Sequence, residues 1–81
     1  MKFIDVHTDM SGLDQEAFQK AHDMDTQIEN EEGVQFLHAW ADPQAGKVFC
    51  LSEGPSKEAV LRVHERAGHP THEIYEVSLE V

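Results

Sequence analysis

The order of apolar patterns along the chain constrains its fold more than any other feature. Alternating segments rich in strand-forming residues, typical of β-strands, cover residues 2–8, 34–41, 46–53 and 73–81. Two segments with apolar residues at three- to four-residue spacing, typical of helices, follow the first and third strands. The resulting order, βαββαβ, predicts a ferredoxin-like α+β fold, in which a four-stranded antiparallel sheet carries two helices on one face.

The ends of both predicted helices are marked by their sequence. The first helix follows a turn in which Ser11 resembles an N-cap, and it ends at Gly33, a residue type common just after helices. The second helix begins after the N-cap Ser56 and stops at Gly68. We expect its buried stripe to consist of Val60, Val63, His64 and Ala67.

The size and cysteine content of the chain predict one small domain, residues 1–81, with no internal disulfide. A domain of this size with a single cysteine is expected to gain further stability from oligomerisation or a ligand. Single-cysteine usage favours a reducing, cytoplasmic location. The first residues do not resemble a signal peptide, and no apolar run approaches the roughly 20 residues needed to span a membrane.

The strongly acidic balance of the chain bears on its partners. The formal net charge is −10, and only six lysine and arginine residues are present. Nucleic acids and anionic membranes require clustered basic residues, so neither is an expected partner. The acidity is explained either by solubility or by a general attraction for cations.

Cys50 and His64 are expected at the same height between the sheet and the second helix. Cys50 lies about 10 Å before the end of its strand at roughly 3.3 Å per residue. His64 lies about 12 Å into the helix that returns over this strand, at roughly 1.5 Å per residue. The thiol and the imidazole therefore define a candidate metal or reactive site.

The first helix offers two more groups at a similar level, His22 and Asp25, which share one helix face. Together with Cys50 and His64 they supply nitrogen, sulfur and one carboxylate. This donor set suits divalent ions such as Ni²⁺, Zn²⁺, Co²⁺ or Cu²⁺ rather than Mg²⁺ or Ca²⁺.

Each of these residues also has a purely structural explanation. In this explanation Cys50 is a small buried hydrophobic residue, and His64 is a neutral core histidine hydrogen-bonded to Asp25. His22 and Asp25 are explained by a surface pair on one helix. Cysteine catalysis by Cys50 and His64 is disfavoured, because a buried mid-strand thiol lacks the electropositive setting that activates such nucleophiles.

The pattern does not decide which way several further polar residues face. Asp5 and His7 share one face of the first strand, which points either to the helices or to a dimer interface. His38 raises the same question on the second strand. His69 and His72, in the turn after the second helix, are expected to be solvated.

The predicted sheet carries apolar residues on both faces, such as Phe3 against Ile4 and Leu37 against Trp40. The helices cover only one face, so a monomer would expose an apolar patch. We expect a homodimer that packs two sheets face to face, as in dimeric α+β barrels.

Residues 34–40, 46–51, 53–70 and 73–77, with residues 5–7 and 21–25 upstream, resemble those of a family of small bacterial nickel-binding-protein-like domains, formerly of unknown function. The block that holds Cys50 and His64 is the most specific part of this resemblance. The resemblance implies a ferredoxin-like dimer and nickel as the ligand. It carries over to the matching positions, which are His38, Cys50 and His64, and then His7, His22 and Asp25.

Two functions remain open at this stage. The first is a small metal-binding protein, for Ni²⁺ or another divalent transition metal, that senses, buffers or delivers the ion. The alternative is a dimeric α+β barrel enzyme or small-molecule binder that uses the same pocket for acid–base chemistry or hydrogen bonding. A protein-interaction module with a polar core is a third possibility.

Overall fold

The computed structural model describes all 81 residues and confirms the predicted order of elements. No helix in it combines the length and apolar character that crossing a membrane requires. The elements are β1 (Lys2–His7), α1 (Gln15–Ile28) with a 3₁₀ turn (Glu29–Glu32), β2 (Gln35–Asp42), β3 (Lys47–Glu53), α2 (Lys57–Arg66) and β4 (Glu73–Glu76).

The four strands form one antiparallel sheet in the order β2-β3-β1-β4, which is the ferredoxin-like topology. The last strand is shorter than predicted and ends at Glu76 rather than at Val81. It pairs only with β1, and Glu76 lies opposite Phe3, close to the beginning of that strand. Beyond this point β1 offers almost no further backbone to pair with, so the ladder ends.

Both helices begin at a side-chain cap. The Asp14 carboxylate accepts a hydrogen bond from the backbone N–H of Ala17 at 2.8 Å, and the Ser56 hydroxyl accepts one from Ala59 at 3.2 Å. Ser56 was predicted for this role, whereas the first helix begins at Asp14 instead of at Ser11. These caps satisfy amide groups that would otherwise lack partners in the first helical turn.

The core lies between the helices and one face of the sheet. It consists of Phe3, Val34, Phe36, Val48, Cys50, Ala59, Val60 and Val63. The same layer also buries five polar or charged residues, which are Asp5, His7, Asp25, Ser52 and His64. Burying such groups is costly unless they are paired, so their presence in so small a core marks a specialised site.

A β-bulge in β2 decides which of its side chains face the helices. Phe36 lies opposite Ser52, but the next paired residue is His38, opposite Leu51, so Leu37 is the extra residue. The alternation therefore shifts by one position, as bulges require. Ala39 consequently lies opposite Cys50 on the helix-facing side, whereas His38 shares the other side with Leu51.

The second face of the sheet carries no helix. We call it the open face, and it is formed by Ile4, His38, Trp40, Phe49, Leu51 and Tyr75. Trp40 and Tyr75 are 51% and 56% exposed, respectively. Large aromatic side chains are thus accessible on the side of the sheet opposite the core.

Candidate metal centre

Three elements bring four potential ligands together in what we call the inner cluster: Asp5, His7, Cys50 and His64. Asp5 and His7 alternate with Val6 on β1 and therefore face the helices with Phe3. Cys50 lies directly opposite Asp5 in the ladder between β1 and β3. One ligand atom from each member lies within 4.8 Å of those from the others, and all four residues are buried.

A second group, which we call the outer cluster, contains Asp25, His64 and His69, again with ligand atoms within 4.8 Å of one another. Asp25 comes from α1, and His69 follows α2 after Gly68, whose φ of 90° turns the chain back. The backbone N–H of His69 donates to the carbonyl of His64 at 3.0 Å. This contact holds the turn against the end of the helix.

His64 links the two clusters because each ring nitrogen faces a different carboxylate. Its Nε2 lies 2.9 Å from Asp5 Oδ2, and its Nδ1 lies 3.0 Å from Asp25 Oδ1. Burial alone would lower the pKa of His64, but its hydrogen bonds with Asp25 and Asp5 outweigh burial and raise the pKa to about 11. This pKa favours the cationic form of His64 in the metal-free protein rather than the neutral form that was the alternative, and the predicted hydrogen bond between His64 and Asp25 is present.

The partners of His64 have shifted pKa values as well. Burial would raise the pKa of Asp5 and of Asp25, but hydrogen bonds with His64 outweigh it and lower both values. The nearby charge of His7 adds to this effect at Asp5, and a hydrogen bond with His69 adds to it at Asp25. Burial raises the pKa of the Cys50 thiol to about 11. The metal-free site therefore contains two carboxylates, one imidazolium and one protonated thiol.

Two buried atoms in the inner cluster lack a hydrogen-bond partner, and they lie next to each other. His7 Nε2 is 2.9 Å from Asp5 Oδ1, but the two groups are too poorly aligned to form a hydrogen bond. Unsatisfied buried polar atoms are costly, at roughly 1–3 kcal/mol each. A nitrogen and a carboxylate oxygen that converge without bonding to each other are suited to a shared cation.

A small space of about 20 Å³, which we call the inner cavity, lies beside these groups. A cavity needs about 10–15 Å³ to hold one water molecule, so this one accommodates a single water or ion. The lining residues of metal-ligand type are His7, His22, Asp25, Cys50 and His69. The inner cavity thus contacts ligand-type side chains from both clusters.

The predicted ligands divide into three sets. The structure brings His7, Asp25, Cys50 and His64 together, and it places His22 on the wall of the inner cavity but outside both clusters. His38 lies away from the site, on the open face, where its ring stacks on Trp40 with centroids 5.6 Å apart. The bulge at Leu37 is the physical reason for this separation.

Two site residues were missed by sequence reasoning. Asp5 was left unassigned, yet it is fully buried at the centre of the inner cluster. A carboxylate in the middle of an apolar strand needs buried partners, and this cost was the available signal. His69 was expected to be solvated, which is wrong, because its Nε2 lies 2.8 Å from Asp25 Oδ1. No local pattern indicated this contact, since it depends on how α2 docks against α1.

These observations define a small ferredoxin-like protein with a buried His/Asp/Cys cluster of metal-ligand type. The chain belongs to the family described as "Nickel responsive protein SCO4226-like", which it matches over residues 3–77. It is also similar to the crystal structure of SCO4226 from Streptomyces coelicolor A3(2), with 52% identity, a TM-score of 0.98 and complete coverage of both chains. No curated protein matches the chain. The family resemblance predicted from the sequence is therefore confirmed.

Proposed function

We propose that this protein binds Ni²⁺, or another divalent transition metal, at the inner cluster. The observation that supports this most directly is the convergence of Asp5, His7, Cys50 and His64, two of which hold buried atoms without partners. Imidazole, thiolate and carboxylate donors match the preference of borderline ions. The family description adds nickel as the first candidate.

In this proposal His7, Cys50 and His64 are ligands together with the Asp5 carboxylate. Asp25 would hold the other ring nitrogen of His64, as carboxylates commonly do for metal-bound histidines. His22 remains a candidate ligand from the wall of the inner cavity. His38 is not among the proposed ligands, because it lies on the open face and the sheet separates it from the cluster.

Binding requires the site to lose protons. His64 is cationic in the metal-free protein and Cys50 is a thiol, whereas metal ligands must be a neutral imidazole and a thiolate. Metal affinity should therefore fall as the pH decreases. The same exchange breaks a hydrogen bond of His64, so metal binding changes the contacts at the centre of the protein.

The proposed role is to sense, buffer or deliver the ion in the cytoplasm. Buried ligands suit retention of the ion, and the single buried thiol suits a reducing compartment. The alternative of an enzyme or small-molecule binder that holds its ligand in the same His/Asp/Cys pocket is less well supported. Organic ligands generally occupy pockets of about 300–1,000 Å³, and the inner cavity measures about 20 Å³.

We also propose that two copies of the chain pair through the open face. This surface combines Trp40 and Tyr75 with the partly buried Ile4, Phe49 and Leu51. A contiguous apolar surface of this kind usually marks an interface, and a two-fold axis would cover both copies at once.

Calorimetric titration of untagged protein with Ni²⁺ tests the metal proposal. We expect binding by the wild type, a loss of at least about tenfold in affinity for Cys50→Ser and His64→Ala because each removes a ligand, and wild-type affinity for His38→Ala. The last variant is a matched histidine control outside the cluster. A wild-type protein that neither binds Ni²⁺ nor gains stability from it or from Zn²⁺ would contradict the proposal.

A further inference from the structure

The inner cavity adjoins a second, open hollow at one end of the sheet. This outer groove has a volume of about 560 Å³ and lies between the loop after β1 and the turn after α2. Its lining and that of the inner cavity share only three residues, which are His7, Met10 and His69. These three side chains, which we call the partition, therefore separate the inner cavity from the groove.

We propose that the metal ion reaches the inner cluster from the outer groove through the partition, and that the His69 side chain is the gate that opens this passage. The inference rests on the proposed function, because it concerns how the ion of that site enters and leaves. It assigns to His69 a role in exchange rather than in holding the bound ion.

Within the partition, His69 is attached to the rest of the protein differently from His7. His7 belongs to the central strand β1 and is 5% exposed, so it moves only with the sheet. The side chain of His69 lies in a turn, is 18% exposed, and has a single hydrogen bond, from Nε2 to Asp25. The His69 backbone is anchored separately by its bond to the His64 carbonyl. The ring also packs against the rings of His7 and His64, with centroids 5.6 and 5.4 Å away. Its rotation therefore breaks these contacts and one hydrogen bond, but no backbone contact of the helix or the sheet.

Rotation of His69 would also uncover a carboxylate on the inner side. Asp25 Oδ1 accepts from both His64 and His69, and Asp25 lines the inner cavity. When the His69 ring leaves, this oxygen loses one partner and faces the opening. A cation that passes the partition thus meets a carboxylate oxygen before it reaches the inner cluster.

The groove itself has the chemistry of an entrance for cations. Its lining includes Asp9 and Glu73, together with His69 and His72, and no lysine or arginine. A concave surface lined by negative charge raises the local concentration of cations. The excess of acidic residues over the whole chain acts in the same direction.

The reactivity of Cys50 tests the gate without any metal. Cys50 lines the inner cavity, which iodoacetamide can enter through the partition or past Phe18, His22 and Ala39, the residues that the inner cavity shares with a second hollow beside α1. Only the first route depends on His69. In metal-free protein we expect His69→Ala to speed alkylation at least about tenfold, the size that loss of a hydrogen bond to a charged group predicts. His72→Ala, which changes only the groove, should react like the wild type.

Two further variants separate gate opening from loss of stability. Val60→Ala weakens the core away from the partition and reports how much alkylation rises through general unfolding. His69→Ser provides a second truncation should His69→Ala fold poorly. The proposal is overturned when the folded His69 variants alkylate no faster than His72→Ala, or no faster than Val60→Ala at matched stability.

Stopped-flow mixing with Ni²⁺, and release into excess chelator, tests the passage of the ion. We expect His69→Ala to speed loading and release together, with Kd changed by less than about threefold, because a gate acts on both rates equally. Unchanged rates, or faster release with unchanged loading, would contradict the gate. Absence of nickel binding by the wild type would refute the proposed function and the ion passage together, whereas nickel binding with unaltered Cys50 reactivity would refute the gate alone.

Discussion

At the proposed metal site, a divalent ion would replace two protons, one on His64 and one on Cys50, at constant charge. In the metal-free state the Asp5 and Asp25 carboxylates flank the His64 imidazolium, and the Cys50 thiol is neutral. Loss of one proton from His64 and one from Cys50 removes two positive charges, which a divalent ion restores. The metal-free and the metal-bound core would therefore carry the same net charge. Because burying net charge is costly, one small core can accommodate both forms.

The exchange predicts proton release on metal binding. We expect about two protons per Ni²⁺ near neutral pH, one from His64 and one from Cys50, since both ligands must be deprotonated. Calorimetric titrations in buffers of different ionisation enthalpy measure this number. Cys50→Ser should lower it by one, and release of no protons by the wild type would rule out the proposed ligand set.

The same groups predict how the stability of the metal-free protein depends on pH. The pKa of His64 rises from 6.5 to about 11 on folding, so its contribution is complete below pH 6.5 and is lost as the pH rises towards 11. The pKa values of Asp5 and Asp25 fall below 3.8 on folding, so their contribution is present above that pH and is lost in acid. The free energy of unfolding should therefore be greatest between these limits.

Urea unfolding at a series of pH values measures this profile. Above pH 6.5 the folding equilibrium constant should decrease by up to about tenfold per pH unit, the slope expected for one proton. The exposed histidine variant His72→Gln should retain this alkaline decline. A stability that stays constant between pH 6.5 and 9 would contradict the assignment of His64 as a buried cation.

At the scale of elements, periodic patterns predicted most of what the structure contains. The stripe of α2 is buried as expected, including His64, because helical periodicity alone determines which face of a helix is apolar. The face of β1 that carries Asp5 and His7 stayed undecided, since both of its faces hold apolar residues. Only packing against the helices resolves that choice.

His38 was a candidate ligand because of the family resemblance, and the strand pattern left its face open. The bulge at Leu37 reverses the alternation for every residue that follows and places His38 on the open face. The contact between His69 and Asp25 joins residues 44 positions apart, on elements with no ladder between them. Neither feature leaves a local signal in the sequence, so both required the tertiary structure.

The cap of α2 gives a prediction at this scale. Ser56→Ala removes the hydroxyl that accepts from the Ala59 N–H, and it should lower the free energy of unfolding by about 1 kcal/mol. Ser78→Ala, at an exposed position beyond β4, is the matched control and should change it little. Equal effects of the two substitutions in urea unfolding would show that the cap does not stabilise the helix that carries His64.

At the scale of the whole molecule, the open face and the acidic charge have opposing effects on association. Covering Trp40, Tyr75 and their neighbours favours a dimer, whereas a net charge of −10 on each copy opposes it. Salt screens the repulsion and leaves the apolar contact intact. We therefore expect a dimer whose dissociation constant decreases as the salt concentration rises.

Sedimentation equilibrium of variants tests this dimer. Trp40→Ser removes a large side chain from the open face and should shift the protein towards monomer. Met24→Ser, on the exposed side of α1, removes an apolar side chain of similar exposure from elsewhere and should leave association unchanged. A wild-type protein that is monomeric at all concentrations would contradict pairing through the open face.

The central claim is that the buried side chains around His64 hold a metal ion, and anomalous diffraction at the nickel absorption edge tests it most directly. Crystals of untagged protein grown with Ni²⁺ should show an anomalous peak within bonding distance of Cys50 and His64. Peaks confined to exposed histidines such as His72, with the hydrogen bonds of His64 to Asp5 and Asp25 intact, would contradict it.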